Sequence, residues 1–336
     1  MKKAIVIDSQ YGSVSLQELQ ALQQQLAEAG VQLQITHCKD AQSIIEKAQG
    51  FEILLCTGNP PVNEAVLTAL SQVEAVIRFG IGVNSIDLDA ASRLGIVVMN
   101  MPGFCINELA VHATAMILAL ERNLLMYDRK IRAGGWPKAT GHLPRAPRNM
   151  TLGLYGFGGS ARELYQIFRF GFGSRVIACD PYVPEAAKSA YEVEFVDFDQ
   201  LLAQADIVSV HAPLTPQTRH IFNAEAFRKM KEDAMIINIA RGELIDQQAL
   251  EQALEEGQIR YAGLDVFEQE PLGESGLKQR DDVALSCHSA FYGVESKAQQ
   301  LRTVYEIVKQ AVLEGTIPER NIANRAVMTN MKFTAQ

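Results

Sequence analysis

The stretch from Thr151 to Pro181, TLGLYGFGGSARELYQIFRFGFGSRVIACDP, constrains the fold of this chain more than any other. Residues 152–155 are a short apolar run, as a strand covered on both faces requires. The next six, Gly156-Phe157-Gly158-Gly159-Ser160-Ala161, make a G-x-G-x-x-A turn. Gly156 permits the tight turn, and Gly158 lets backbone approach a pyrophosphate with no side chain in the way. Ala161 is small enough for a helix to pack on its strand. The pyrophosphate would sit on free N–H groups at the helix start, where the dipole favours negative charge. Residues 176–179 form the next strand, and Asp180 ends it, 24 residues after Gly156 (180 − 156). The carboxylate that binds an adenosine ribose is expected ~20 residues on. A glycine-rich turn alone would merely pack a helix on a sheet; here strand, helix, second strand and terminal acid are all in place. Asp180 accepts from ribose hydroxyls and repels a 2′-phosphate, and Pro181 and Tyr182 follow it rather than an arginine. The pattern predicts a dinucleotide site that prefers NAD to NADP.

Residues 1–100 alternate strand and helix without a fingerprint of their own. Strands are expected at 4–8, 31–36, 51–56, 75–79 and 96–99, and helices at 16–29, 41–48, 63–70 and 87–94. After the fingerprint, strands are expected at 207–211, 234–239, 262–266 and 282–286, with helices at 223–230, 246–256 and 295–314. Residues 106–127 read as one long apolar helix, 137–149 as a proline-rich basic loop, and the tail from Pro318 as irregular. The fold class is α/β, two doubly wound parallel sheets. One domain is residues 1–100 plus 297–336; the other, 101–296, is a Rossmann dinucleotide domain inserted into it.

With 336 residues the chain has room for two domains. A net charge of −8 argues against nucleic acid or an anionic membrane as the main partner. The apolar run 109–120 is too short to span a bilayer, and 4–8 is too short for a signal segment. Five scattered cysteines form no C-x-x-C pair, which fits a reduced cytoplasmic setting without disulfides or a structural zinc.

Ligands of such sheets lie beyond the carboxyl ends of the strands. At one such end stands Arg78-Phe79-Gly80-Ile81-Gly82, where glycine backbone and a basic residue could hold an anion or simply make a strand-to-helix turn. In the second domain Arg241, Glu270 and His288 occupy strand ends. A guanidinium can hold a carboxylate through two hydrogen bonds. A lone histidine among Ser286, Cys287, Ser289 and Ala290 would serve structure as readily as catalysis. A carboxylate within reach would tip it toward acid–base work. Cys105, Cys179 and Cys287 read as small buried hydrophobes, with oxidation sensing as the alternative.

The segments Asn238-x-Ala-Arg241-Gly242, Leu264-Asp265-Val266-Phe267-Glu268-Gln269-Glu270-Pro271 and His288, with Asn100-x-Pro102-Gly103, Phe172-Gly173 and Pro213-Leu214-Thr215, resemble the D-isomer-specific 2-hydroxyacid dehydrogenases. Within that family, Arg78-x-Gly80-x-Gly82 and His288-Ser289-Ala290-Phe291-Tyr292 resemble the branch of the C-terminal-binding corepressors and their bacterial relatives. The resemblance implies His288 as acid/base, Glu270 as the partner that keeps it protonated in reduction, and Arg241 on the substrate carboxylate. Arg78, Ile81 and Gly82 would complete the substrate site. Cofactor contacts would fall on Gly156, Gly158, Gly159, Ser160, Asp180, Pro213, Thr218, Ile239, Ala240, Arg241, Asp265 and His288. It further implies a small 2-keto/2-hydroxy acid substrate and a homodimer through residues 106–150. Departures are Cys287 where proline often precedes the histidine, Val111 in place of an acid, and Asn84 in place of aspartate. A phosphorylated substrate would want more cations, for which Arg129, Arg132, Lys138 and Arg145 are candidates should their loop fold over the site. The competing reading is an NAD(H)-sensing regulatory protein of corepressor type with little turnover.

Overall fold

Every strand of the two large sheets runs parallel to its neighbours, and each sheet is covered on both faces. The structure is a computed structural model and describes residues 2–9, 14–137 and 143–336. The chain divides into two compact units, residues 1–104 with 292–336 and residues 105–291.

In the first unit the strands are β1 (Ala4–Val6), β2 (Leu33–Ile35), β3 (Ile53–Cys56), β4 (Ala75–Arg78) and β5 (Val97–Met99). Their order, β2-β1-β3-β4-β5, is that of the flavodoxin-like fold. Successive side chains point to opposite faces, so one apolar run serves two cores. Ala4, Val6, Ile53, Leu55, Ala75 and Ile77 meet the helices Leu16–Glu28 and Val294–Leu313 on one side. Ile5, Leu54, Cys56, Val76 and Val98 meet the helices Ala41–Lys47, Glu64–Ala69 and Leu88–Arg93 on the other. Ser15 starts the helix Leu16–Glu28 through a capping box with Glu18. Leu19, Leu22 and Leu26 on its inner face are buried, a transfer of about 1.5–3 kcal/mol each.

In the second unit the strands are β6 (Thr151–Tyr155), β7 (Arg175–Cys179), β8 (Glu194–Phe195), β9 (Ile207–Val210), β10 (Met235–Asn238), β11 (Tyr261–Leu264) and β12 (Val283–Leu285). Their order is β12-β11-β10-β9-β6-β7-β8, the Rossmann arrangement with one strand added. The order reverses between β6 and β9, and the glycine turn lies at that reversal.

Two expectations need correction. The apolar segment 106–127 is two helices, Ile106–Glu121 and Leu124–Arg132, meeting at a 64° bend. Asn123 takes a left-handed conformation at the break (φ 52°), which asparagine tolerates better than most residues, and Tyr261 Oη donates to its Oδ1 at 2.9 Å. The two compact units divide at 104/105 and 291/292, close to the domain boundaries expected at about 100/101 and 296/297. Within the first unit Asn100 N–H and Met101 N–H donate to the Asn321 and Gly80 carbonyls, and Lys297 pairs with Glu18 at 2.7 Å. The tail is not irregular throughout. Thr316–Ile317 pairs in parallel with Thr334–Ala335, and the Asn324 side chain accepts from Val98 N–H at 2.8 Å. β8, two residues at a sheet edge, is too short to leave a pattern. No single helix among the described residues is long and apolar enough to cross a membrane.

Candidate active site

The dinucleotide turn connects β6 to the helix Gly159–Gln166. Gly156 sits at φ 88°, and a Cβ there would lie 2.7 Å from the Ala212 nitrogen, so no other residue fits. A Cβ on Gly158 would meet nothing within 4 Å: the backbone faces open space at the start of the helix, the cradle that a pyrophosphate needs. Gly159 is tight for a different reason, since its Cβ would strike Ile106 Cδ1 at 2.7 Å. Ala161 is fully buried against the sheet. Asp180 closes the turn. Its Oδ2 accepts from Phe157 N–H at 2.8 Å and its Oδ1 from Tyr182 N–H at 2.9 Å. These residues fit a bound dinucleotide.

Arg241, Glu270 and His288 all stand at the carboxyl edge of the second sheet. Asn238, fully buried at the end of β10, folds the next turn onto itself. Its Nδ2 donates to Arg241 O at 2.8 Å and its Oδ1 accepts from Ala240 N–H at 3.0 Å, so Ile239 and Ala240 are held in place and Arg241 is aimed out of the sheet. Gly242 follows, packed so closely that a Cβ would fall 1.9 Å from the carbonyl carbon of Phe267. The Arg241 turn therefore rests directly on the backbone that leads to Glu270.

His288 Nδ1 lies 2.7 Å from Glu270 Oε2. The side chains are 43% and 37% exposed, so the pair is open to solvent. Burial pushes the Glu270 carboxylate up, but the His288 hydrogen bond and charge, the Phe267 N–H and the Arg241 charge outweigh it and hold Glu270 below its usual value. With Nδ1–H committed to Glu270, Nε2 is the ring position left for proton exchange. His288 itself is left-handed, at φ 54°, in a loop that Asp265 organises. The Asp265 carboxylate is buried. It accepts from Ser286 Oγ at 2.6 Å and from Ser289 and Ala290 N–H at 2.8 Å each, while His288 N–H donates to Asp265 O at 2.7 Å. His112, on the helix Ile106–Glu121, reaches Ser286 Oγ at 2.9 Å. Thr218 Oγ1 donates to Pro213 O at 2.8 Å and accepts from Thr215 N–H at 2.8 Å, stapling the loop after β9.

In the first unit Arg78 ends β4 between two glycines. A Cβ on Gly58 or on Gly80 would come within 3.1 and 3.0 Å of its guanidinium. Ile81 and Gly82 follow in the exposed turn, with Asn100 Nδ2 donating to Ile81 O at 2.7 Å. Asp8, which sequence reading passed over, is fully buried at the end of β1; its Oδ2 accepts from Thr57 N–H at 2.6 Å, Thr57 Oγ1 at 2.8 Å and Gly58 N–H at 3.1 Å. Burial raises the Asp8 carboxylate despite those bonds and the nearby Arg78 charge.

The extra cations are already engaged. Arg129 pairs with Asp281 at 2.9 Å, Arg132 with Asp128 at 2.8 Å, and Arg145 with Asp206 and Asp233 at 3.1 and 2.9 Å; Lys138 lies outside the described residues. Burial pushes Cys105 up to about 12 and Cys179 up to about 11, as small buried hydrophobes should be. Cys287 departs from that expectation: it is exposed, because it occupies the turn that presents His288.

A Rossmann sheet with an open glycine cradle and a histidine–carboxylate pair at its edge defines a dinucleotide-dependent α/β protein. Residues 114–290 match the family model described as D-isomer specific 2-hydroxyacid dehydrogenase, NAD binding domain. The chain belongs to the D-isomer-specific 2-hydroxyacid dehydrogenase family, and its cofactor is NAD. It is 33% identical to a glyoxylate reductase of Korarchaeum cryptofilum over 289 residues, 85% of this chain and 86% of that one. It is 34% identical to a D-3-phosphoglycerate dehydrogenase of Synechocystis over 283 residues, 84% of this chain but 50% of the relative. The chain thus spans about half the length of the phosphoglycerate dehydrogenases it matches. Among solved structures, a glyoxylate reductase from Paecilomyes thermophila superposes with a TM-score of 0.83 at 28% identity, covering 94% of this chain and 96% of that one. The apo D-lactate dehydrogenase of Escherichia coli gives 0.75 at 30% identity, covering 92% and 96%.

Proposed function

We propose that the protein interconverts a small 2-keto acid and its D-2-hydroxy acid, with NAD as the redox partner. The observation that carries this reading is the His288–Glu270 contact of 2.7 Å, in reach of the Arg241 charge, at the carboxyl edge of the NAD-binding sheet. Bound NAD supplies the hydride donor or acceptor. In reduction, His288 gives the proton on Nε2 to the substrate carbonyl oxygen as the carbonyl carbon gains hydride; in oxidation it takes that proton back. Glu270 holds the ring by Nδ1–H and balances the charge of the protonated form. Arg241 binds the substrate carboxylate and polarises the adjacent carbonyl. Arg78, Ile81 and Gly82 are assigned to substrate binding. Cofactor contacts are assigned to the Gly156–Gly158–Gly159–Ser160 turn, Asp180, Pro213, Thr218, Ile239, Ala240 and Asp265, with Asp180 favouring NAD over NADP.

The local ion pairs of Arg129, Arg132 and Arg145 favour an unphosphorylated substrate over a phosphorylated one. The reading extends to a homodimer through residues 106–150, supported by the exposed Val111, Leu124, Leu125 and Ile131, and to a reducing cytoplasmic setting, supported by the free cysteines. The test is loss of NADH absorbance against a panel of 2-keto acids, with NADPH run in parallel. Turnover of an unphosphorylated acid with NADH is expected. Preference for NADPH would overturn the role given to Asp180. Tight NADH binding with a flat panel would move the weight to the sensor reading.

A further inference from the structure

Behind the dinucleotide turn stands an imidazole that the chemistry above does not use. His211 follows β9, where its N–H donates to Tyr155 O at 2.8 Å, and its carbonyl carbon lies 2.9 Å from where a Gly156 Cβ would be. Its Nδ1 is 2.9 Å from Ser160 Oγ and its Nε2 is 2.9 Å from Ser209 Oγ. Ser160 is the second residue of the helix Gly159–Gln166; Ser209 is fully buried in β9. Burial pushes the His211 imidazole down to about 3, so it is neutral at physiological pH, with one ring nitrogen donating and the other accepting.

Three groups in a row leave two possible directions. With the proton on Nε2, His211 donates to Ser209, whose own hydrogen then has no acceptor among the described residues. Ser160 would spend its hydrogen on Nδ1 and turn lone pairs toward an incoming phosphate. With the proton on Nδ1, Ser209 donates to Nε2, His211 donates to Ser160, and the Ser160 hydrogen is free for an anion. Only the second direction satisfies every hydrogen, and a buried hydroxyl without an acceptor costs about 1–3 kcal/mol.

We propose that His211 is a cofactor-positioning residue: Ser209 fixes its tautomer, and His211 in turn fixes Ser160 as a hydrogen-bond donor to the dinucleotide pyrophosphate. The inference rests on the assignment of Ser160 to the cofactor, so the experiment separates the two. NADH affinity is measured by fluorescence titration for the full chain, Ser160→Ala, Ser209→Ala and the double variant, with adenosine as a probe lacking phosphate. Ser160→Ala is expected to raise the NADH Kd about tenfold, the scale of a hydrogen bond to a charged group, and to leave adenosine unaffected. Ser209→Ala, remote from the ligand, is expected to raise it about threefold, and the double variant to be no weaker than Ser160→Ala, the non-additivity of a linked chain. An unchanged Kd in Ser160→Ala would overturn the assignment of Ser160 itself. A weakened Ser160→Ala with an unaffected or fully additive Ser209→Ala would overturn the relay alone. Nitrogen-15 NMR of the unaltered protein gives a reading that needs no variant: a pyridine-type Nε2 is expected, and a pyridine-type Nδ1 in the NADH complex would reverse the proposed direction.

Discussion

Each sheet ends in a carboxylate set beside a basic side chain, and the two behave oppositely. At the edge of the first, Asp8 is fully buried near Arg78, and burial raises its carboxyl above the usual value. At the edge of the second, Glu270 is half-buried against His288, and its carboxyl is lowered. The ingredients are alike, so solvent decides the sign. Desolvation outweighs three hydrogen bonds and a nearby guanidinium in the first case; in the second the partner wins. Asp8 therefore serves as a fixed support for the Thr57–Gly58 turn that flanks Arg78, whereas Glu270 and His288 keep the exposure that the proposed proton exchange requires.

Substitutions can break this contrast. The largest effect is expected from His288→Asn, chosen because asparagine accepts the left-handed backbone at this position. Turnover should fall about a thousandfold, the scale of a lost acid–base group, while NADH binding by fluorescence persists. A variant with full activity would remove His288 from the chemistry.

Next in size is Asp8→Ala. It leaves the Thr57 N–H and hydroxyl and the Gly58 N–H without their buried acceptor, and should cost about 3 kcal/mol in urea unfolding. Asp8→Asn, which keeps an acceptor, should lose less. A loss no larger than that of Glu270→Gln would erase the distinction between the two edges.

The smallest effect belongs to Glu270→Gln: turnover lower by about tenfold, with little change in stability at neutral pH. Because the folded Glu270 value lies below its usual 4.5, its stabilisation is present above pH 4.5 and is lost as pH falls through the folded value. Urea midpoints across acid pH should therefore fall more steeply for the unaltered protein than for the variant. Parallel curves would mean that the pair adds nothing to folding.

The strands were legible because both faces of each sheet are covered, which leaves unbroken apolar runs; the fingerprint was legible because a pyrophosphate cradle admits so few side chains. Of the candidate site, Arg241, Glu270 and His288 were named from the sequence because the proposed chemistry calls for their types. Its supports were not. Asp8 looked like the polar end of a strand, and Asn238 and Asp265 looked like motif residues, since hydrogen bonds made across strands leave no local pattern. Ser209 and His211 did carry a signal: two positions apart around a strand, they fall on one face. The helix break at Asn123 was hidden by apolar periodicity that continues on both sides of it.

Gly242 has a consequence for how this scaffold can diversify. A position where even a methyl group would overlap a neighbouring peptide cannot be sampled one mutation at a time. The turn that aims Arg241 and the segment that delivers Glu270 are thereby yoked, and on the proposed reading new substrate preferences must come from residues around them rather than from reshaping either loop alone. A library randomised across residues 239–244 should return glycine at 242 whatever acid is used for selection.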